Sequence, residues 1–197
     1  MKYDIVISGV GGQGVLSLSA IIALSALEQG FYAKQSEIHG MAQRGGAVHA
    51  NLRISDERIP SALVPRAAAS LILSMEPVES LRYLEFLSRD GILITSIDPV
   101  VNIPDYPPMD DLLKTIGSLP KAVLVDGSRL AKKAGAPRAS NMVMAGAASH
   151  VLPFDASIIE NSIRKMFKRK GDRVIEVNLK AFRSGQQAFT DQVAPPR

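Results

Sequence analysis

The run Gly9-Val10-Gly11-Gly12-Gln13-Gly14 stands between an apolar stretch, Tyr3–Ser8, and a second, mostly apolar one, Val15–Gln29. No other feature constrains the fold as much. The first stretch has the composition of a buried parallel strand and the second that of a helix with apolar residues on most of its faces. A glycine-rich turn between the two brings bare backbone N–H groups to a helix N-terminus, where aligned peptide dipoles attract anions. Gly9 permits the tight turn, Gly11 a close backbone approach, and Gly14 the packing of helix on strand.

The rest of the chain alternates short β-branched runs with helical ones. Strands are predicted at Phe31–Gln35, Ala47–Ile54, Ala69–Ser74, Gly91–Ile97 and Ala122–Asp126, with Arg173–Val177 as a terminal strand or extended piece. Ser55-Asp56-Glu57 turns the third run into Arg58–Ser61, which reads as an edge hairpin. Helices are predicted at Val78–Leu87 with Pro77 in the first turn, Met109–Leu119, Ser128–Ala134, a small-residue helix from the Ala139-Ser140-Asn141 cap to Val151, Asp155–Lys170 and Leu179–Phe189. Asn102–Pro108, with three prolines, is a surface loop, and 191–197 a disordered tail. Alanine, glycine and serine in the 141–151 helix suggest close packing against another backbone. Strands alternating with helices define an α/β fold: one Rossmann-like, doubly wound, mostly parallel sheet over residues 1–190, with helices on both faces and a hairpin at one edge.

Composition removes several functions. With no cysteine, the chain holds no disulfide, thiolate nucleophile or cysteine-ligated iron–sulfur cluster or zinc site. His39, His49 and His150 lack metal-ligand spacing, so no metal site is expected. No run is long and apolar enough to cross a bilayer, and Met1-Lys2 leads into a strand rather than a signal peptide; a cytoplasmic protein without membrane contact is expected. The net charge is +4, and its densest part, Arg164–Lys170, holds a single aromatic residue, Phe167, too few to interleave with the charges and stack successive bases. It reads as the solvated end of a helix, with no nucleic acid partner expected; a basic interaction module stays as a competing class.

A dinucleotide site also needs an acidic residue at the end of the second strand. Here that strand ends Ala33-Lys34-Gln35-Ser36, and the first carboxylate, Glu37, comes late. Lys34 would suit a 2′-phosphate, but no hydride-transfer set accompanies the glycines, which weakens a stand-alone NAD(P) dehydrogenase. The second unusual stretch is Ser36-Glu37-Ile38-His39-Gly40-Met41-Ala42-Gln43-Arg44-Gly45-Gly46. Arg44 beside two glycines places a forked cation next to exposed backbone, suited to a carboxylate or phosphate. A Glu37–Arg44 ion pair that pins the loop is the competing reading.

Together the two stretches closely resemble the gamma component of the 2-oxoacid:ferredoxin oxidoreductases, and the Ser-Glu-Ile-His-Gly-Met-Ala-Gln-Arg-Gly-Gly form is most similar to small subunits of the indolepyruvate branch. The resemblance extends over essentially the whole chain, to Ile175–Phe182. It implies a subunit without its own catalytic residues, metal or redox centre. Thiamine diphosphate, magnesium and iron–sulfur clusters would reside in a large partner subunit, coenzyme A would be the cosubstrate, and ferredoxin would receive the electrons. The absence of cysteine agrees with this independently, and Val125-Asp126-Gly127-Ser128 lacks the thiamine diphosphate signature. Gly9, Gly11, Gly12, Gln13 and Gly14 would receive coenzyme A phosphates or serve as a docking surface. Arg44, with Gly45 and Gly46, would lie at the subunit interface or active-site approach, with Glu37 positioning it and His39 and Gln43 on the substrate side. His49 and His150 are expected to be structural, and Asn141 a helix N-cap.

Overall fold

The computed structural model describes residues 1–40 and 45–193. Six strands form one sheet: β1 (Lys2–Val10), β2 (Tyr32–His39), β3 (Ala47–Ser55), β4 (Ala69–Ser74), β5 (Leu87–Ser96) and β6 (Ala122–Val125), in the order β2-β3-β1-β4-β5-β6. β1, β4, β5 and β6 run parallel, whereas β3 is antiparallel to both β1 and β2. The seven α-helices of the described residues are α1 (Val15–Glu28), α2 (Pro77–Arg82), α3 (Met109–Gly117), α4 (Gly127–Lys133), α5 (Ser140–Ala148), α6 (Ala156–Phe167) and α7 (Asp172–Val193). None of them is long and apolar enough to cross a membrane.

Side-chain alternation along β1 divides the core. Ile5 and Ile7 point into a large cluster under α1 and α4–α7, while Val6 joins Ile72, Leu93 and Ile116 in a smaller one near α2 and α3. Helices on both faces are the predicted architecture. β3 departs from it on one side: His49, Asn51, Arg53 and Ser55 alternate with the apolar residues because no helix covers that surface. The chain after Ser55 covers it instead. Arg53 is buried and pairs with buried Asp4 through two hydrogen bonds of 2.8 and 3.2 Å, and its Nη1 donates to the carbonyls of Ser61 and Leu63.

That anchoring corrects the predicted hairpin. Arg58–Ser61 is not a strand; the antiparallel edge pair is β2–β3, in register from Tyr32↔Ser55 to His39↔Val48. β2 therefore outruns Phe31–Gln35 and takes in Ser36–His39, whose mostly polar residues suit an exposed edge strand. The predicted Val78–Leu87 helix ends at Arg82, and after a 3₁₀ turn at Leu84–Phe86 the chain enters β5. Arg173–Val177 is no strand but the opening of α7, whose buried Ile175, Asn178, Leu179 and Phe182 follow a helical spacing. α7 reaches Val193, into the stretch read as tail; residues 194–197 lie outside the described residues.

The small-residue helix packs as expected. A Cβ on Gly146 would fall on the Phe182 carbonyl, and one on Gly185 on the Val143 carbonyl, so α5 and α7 cross backbone to backbone. The basic run is a helix end: Lys165 pairs with Glu28, Arg164 with Glu176, and Lys170 lies over the Phe167 ring.

Candidate functional site

In open parallel sheets ligands gather outside the carboxyl ends of the strands, where successive connections leave in opposite directions. Here that point lies between β1 and β4. The glycine turn follows β1, and Met75–Glu76 follows β4. Gln13 bridges them: its Oε1 accepts from the Val10 amide at 2.7 Å and its Nε2 donates to the Met75 carbonyl at 2.9 Å. Gln13 thus pins the glycine turn to the end of β4.

Gly14 is the N-cap of α1 in the left-handed region, with φ 84°. Within the turn the Val10 and Gln13 amides bond internally. The amides of Val15, Leu16 and Ser17, the first turn of α1, have no acceptor among the described residues. They are the bare donors that the sequence implied. Asn141 lies beside them. It is not an N-cap: Ala139 holds that position, and Asn141 is the second residue of α5, with Nδ2 so close to Gly14 that an added Cβ would approach it to 2.6 Å. Its spacing within a small-residue run carried no signal of that contact.

The second motif reaches the same place. The Gly11 amide donates to the Gly46 carbonyl at 2.9 Å, so the two glycine turns are bonded to each other. Between them lies a cleft of about 530 Å³, lined by Gly12, Gly14, Leu16 and Ser17 on one side and His39, Gly40 and Val48 on the other. His39 Nε2 is 3.4 Å from Glu37 Oε2, and Glu37 also accepts from Gln35. Gln43 and Arg44 lie outside the described residues, and with them the expected Glu37–Arg44 pair. Among the described residues the lining has no lysine or arginine. A phosphate there would meet backbone dipoles.

Sequence reading missed Glu76. It is 1% exposed, yet its carboxylate accepts from the Glu79 amide at 2.9 Å, the Val100 amide at 3.3 Å and the Tyr106 hydroxyl. Burial, and then the hydrogen bond to Glu76, hold the Tyr106 hydroxyl well above the usual phenol range. A lone glutamate after an apolar strand gives no signal of this. His49 is half-buried against Tyr83, with Nδ1 3.0 Å from the hydroxyl, and burial lowers its pKa. His150 Nε2 lies 3.0 Å from the Gln186 carbonyl, and its ring stacks on Phe189. Both are the structural histidines expected. Asp126 does not fit a magnesium–diphosphate role, because its carboxylate caps α4 through the Arg129 amide and pairs with the Arg129 guanidinium.

A Rossmann-like subunit with a cleft beside two bonded glycine turns, and without a hydride-transfer set among the described residues, is the class that fold and site define. Residues 4–188 match the pyruvate ferredoxin/flavodoxin oxidoreductase family, and the chain belongs to it. The indolepyruvate oxidoreductase subunit IorB of Archaeoglobus fulgidus is 36% identical over 194 residues, covering 94% of each chain. Among solved structures, the pyruvate oxidoreductase subunit PORC of Thermotoga maritima superposes with a TM-score of 0.74 at 28% identity, over 94% of this chain and 96% of that one. The 2-oxoglutarate:ferredoxin oxidoreductase of Magnetococcus marinus, described with 2-oxoglutarate, coenzyme A and succinyl-CoA bound, shares the fold with a TM-score of 0.78 at 19% identity. The match covers 96% of this chain but 31% of that longer one.

Proposed function

We propose that this chain is the small subunit of a cytoplasmic, thiamine-dependent indolepyruvate (arylpyruvate):ferredoxin oxidoreductase, that residues 1–190 act as one domain, and that the subunit completes the complex at the cleft between its two glycine turns. The observation that carries the reading is the Gly11–Gly46 hydrogen bond, which makes one site of two motifs far apart in sequence. The large partner subunit holds thiamine diphosphate, magnesium and the iron–sulfur clusters, which supply decarboxylation and electron transfer to ferredoxin. This chain has no cysteine to hold a cluster, and alone it is inactive.

Its own contribution is binding. The first-turn amides of α1 receive phosphates of coenzyme A, the cosubstrate that takes the acyl group, with the helix dipole favouring the anion. Arg44 serves the subunit interface or the active-site approach, with Glu37 positioning it and His39 and Gln43 on the substrate side. Helix α1 supports docking in a second way: Leu16, Leu24 and Leu27 are 37%, 41% and 54% exposed along a helix that is apolar nearly all round. A helix of that composition is ordinarily covered on every side. In the Magnetococcus enzyme this fold is about a third of a longer chain; a separate chain replaces that tether with an interface.

Ser17→Asp tests the phosphate site. Ser17 is exposed in the third position of α1, where a carboxylate suits the helix and occupies the amides itself. Gly12 is a poorer choice, since its φ of 105° strains any side chain. In the assembled enzyme the variant is expected to raise the KM for coenzyme A about tenfold, the loss of one charge-assisted contact. An unchanged KM in an assembled complex removes the phosphate role and leaves docking.

A further inference from the structure

The segment from Ile97 to Pro108 has no regular secondary structure, yet it carries Val101 and Ile103 outward at 71% and 40% exposure. Something must hold it. Two of its groups, the Val100 amide and the Tyr106 hydroxyl, donate to the same oxygen of Glu76, while the other oxygen caps α2. A carboxylate buried at 1% exposure is tolerated only when hydrogen bonds replace its water, and these three donors do so. At the far side of the segment, Asn102 Nδ2 donates to the Gly45 carbonyl at 2.5 Å. Gly46 accepts from Gly11, and Gln13 returns to Met75, next to Glu76.

The hydrogen bonds therefore close a ring: Glu76 to the 97–108 strap, the strap to Gly45–Gly46, that turn to Gly11–Gln13, and Gln13 to Met75. We propose that Glu76 is a positioning residue that braces the coenzyme-binding cleft through this ring, so that the strap and both glycine turns move as one unit. The ring stands on the hydrogen bonds above; only its kinetic consequence rests on the cleft assignment of the previous section. A short capping side chain such as aspartate or serine would serve α2 alone. Glutamate has the length to serve the cap with one oxygen and the strap with the other.

Amide hydrogen exchange on the full chain, with Tyr106→Phe and Asn102→Ala, separates the two claims. Asn102→Ala opens the ring at its one bond to Gly45, and Tyr106→Phe removes one of the two donors that tie the strap to Glu76 and so loosens it, both away from the Gly11 amide. Both are expected to speed exchange at Gly11 about fivefold, the usual worth of one hydrogen bond, with Ile5–Ile7 unchanged. Faster exchange at Val100 alone, with Gly11 unmoved, overturns the ring, whatever the kinetics. Glu76→Gln, which sets an NH₂ against one of its donors, should exceed both; should it fail to fold, the two milder variants still decide. In the assembled enzyme the same two variants should raise the KM for coenzyme A more than they lower kcat. A moved Gly11 amide with an unmoved KM keeps the ring and displaces coenzyme A from this cleft.

Discussion

Glycine does different work in two regions of this molecule. In the turn at residues 9–14 Gly12 and Gly14 supply conformation: both take positive φ, and an added Cβ on Gly12 would meet nothing within 4 Å. At the crossing of α5 and α7 glycine removes space: Gly146 and Gly185 let two helix backbones touch. Both look alike in composition. The first serves a cleft, the second holds a fold, and only the neighbours of the missing Cβ tell them apart. Substitution should therefore separate them by what fails.

The largest effect is expected at the crossing. Gly146→Ala or Gly185→Ala sets a methyl group against a carbonyl, which cannot rotate away as a side chain can, so the cost falls at the upper end of overpacking, about 3 kcal/mol. For a chain of this size that lowers Tm by roughly 6–12 °C. The double variant should cost less than the sum, because helices forced apart once accommodate the second methyl. Thermal denaturation of the three variants checks this; strict additivity would mean that the two contacts relax independently.

A smaller loss is expected at Gly14, and it divides into two parts. Left-handed backbone costs an alanine about 1–2 kcal/mol, and the added Cβ also meets Asn141 Nδ2 at 2.6 Å. Asn141→Ala in the same chain should recover the contact and leave the backbone strain. Full recovery in denaturant titrations would show that the turn tolerates a side chain and that Asn141 alone demands glycine.

Most of the fold was legible because its signals were local. Ala69–Ser74 is an apolar strand at both ends as read, and Pro77 opens α2. The small residues of α5 announced a close backbone contact, though not that α7 supplies it. Misreadings arose where tertiary structure overrides local pattern. Ser36–His39 is polar because it lies on an exposed edge, so no alternation marks it as strand. Arg173–Val177 is β-branched enough to look extended, yet its buried residues face α5 and α6 as one helix stripe with Phe182. At the site, the glycine turns were legible as motifs and their bond to each other was not. The contacts of Glu76 with Val100 and Tyr106, and of Asn141 with Gly14, left no trace in sequence, since they join residues distant in the chain.

A gain is expected at Ser19. Its hydroxyl is buried inside α1 without a hydrogen-bond partner among the described residues. Removing an unpaired buried hydroxyl restores about 1 kcal/mol, and alanine is also the better helix former. Ser19→Ala should raise Tm by roughly 2–4 °C on that basis. Loss of stability would instead identify a partner for the hydroxyl.

The smallest effect concerns pH, on the polar face of β3 that the glycine cleft does not reach. His49 pairs with Ile38 in the sheet register and packs on Tyr83 at 4.6 Å between ring centroids. Burial holds its pKa below the ordinary 6.5. As pH falls through that value the unfolded chain takes the proton first, so acidification draws the equilibrium toward unfolding until the folded imidazole titrates as well. Glu79 acts the other way. Burial raises its carboxyl above the ordinary 4.5 despite Arg82, so the folded chain binds that proton first and gains on acidification at lower pH. Between about pH 7 and 5 the histidine governs. His49→Gln should therefore flatten the loss of stability across that interval and run parallel to the parent above pH 7. Equal slopes for the two proteins in denaturant titrations would show that the imidazole is as easily protonated in the fold as outside it, and that the Tyr83 contact carries no pH dependence.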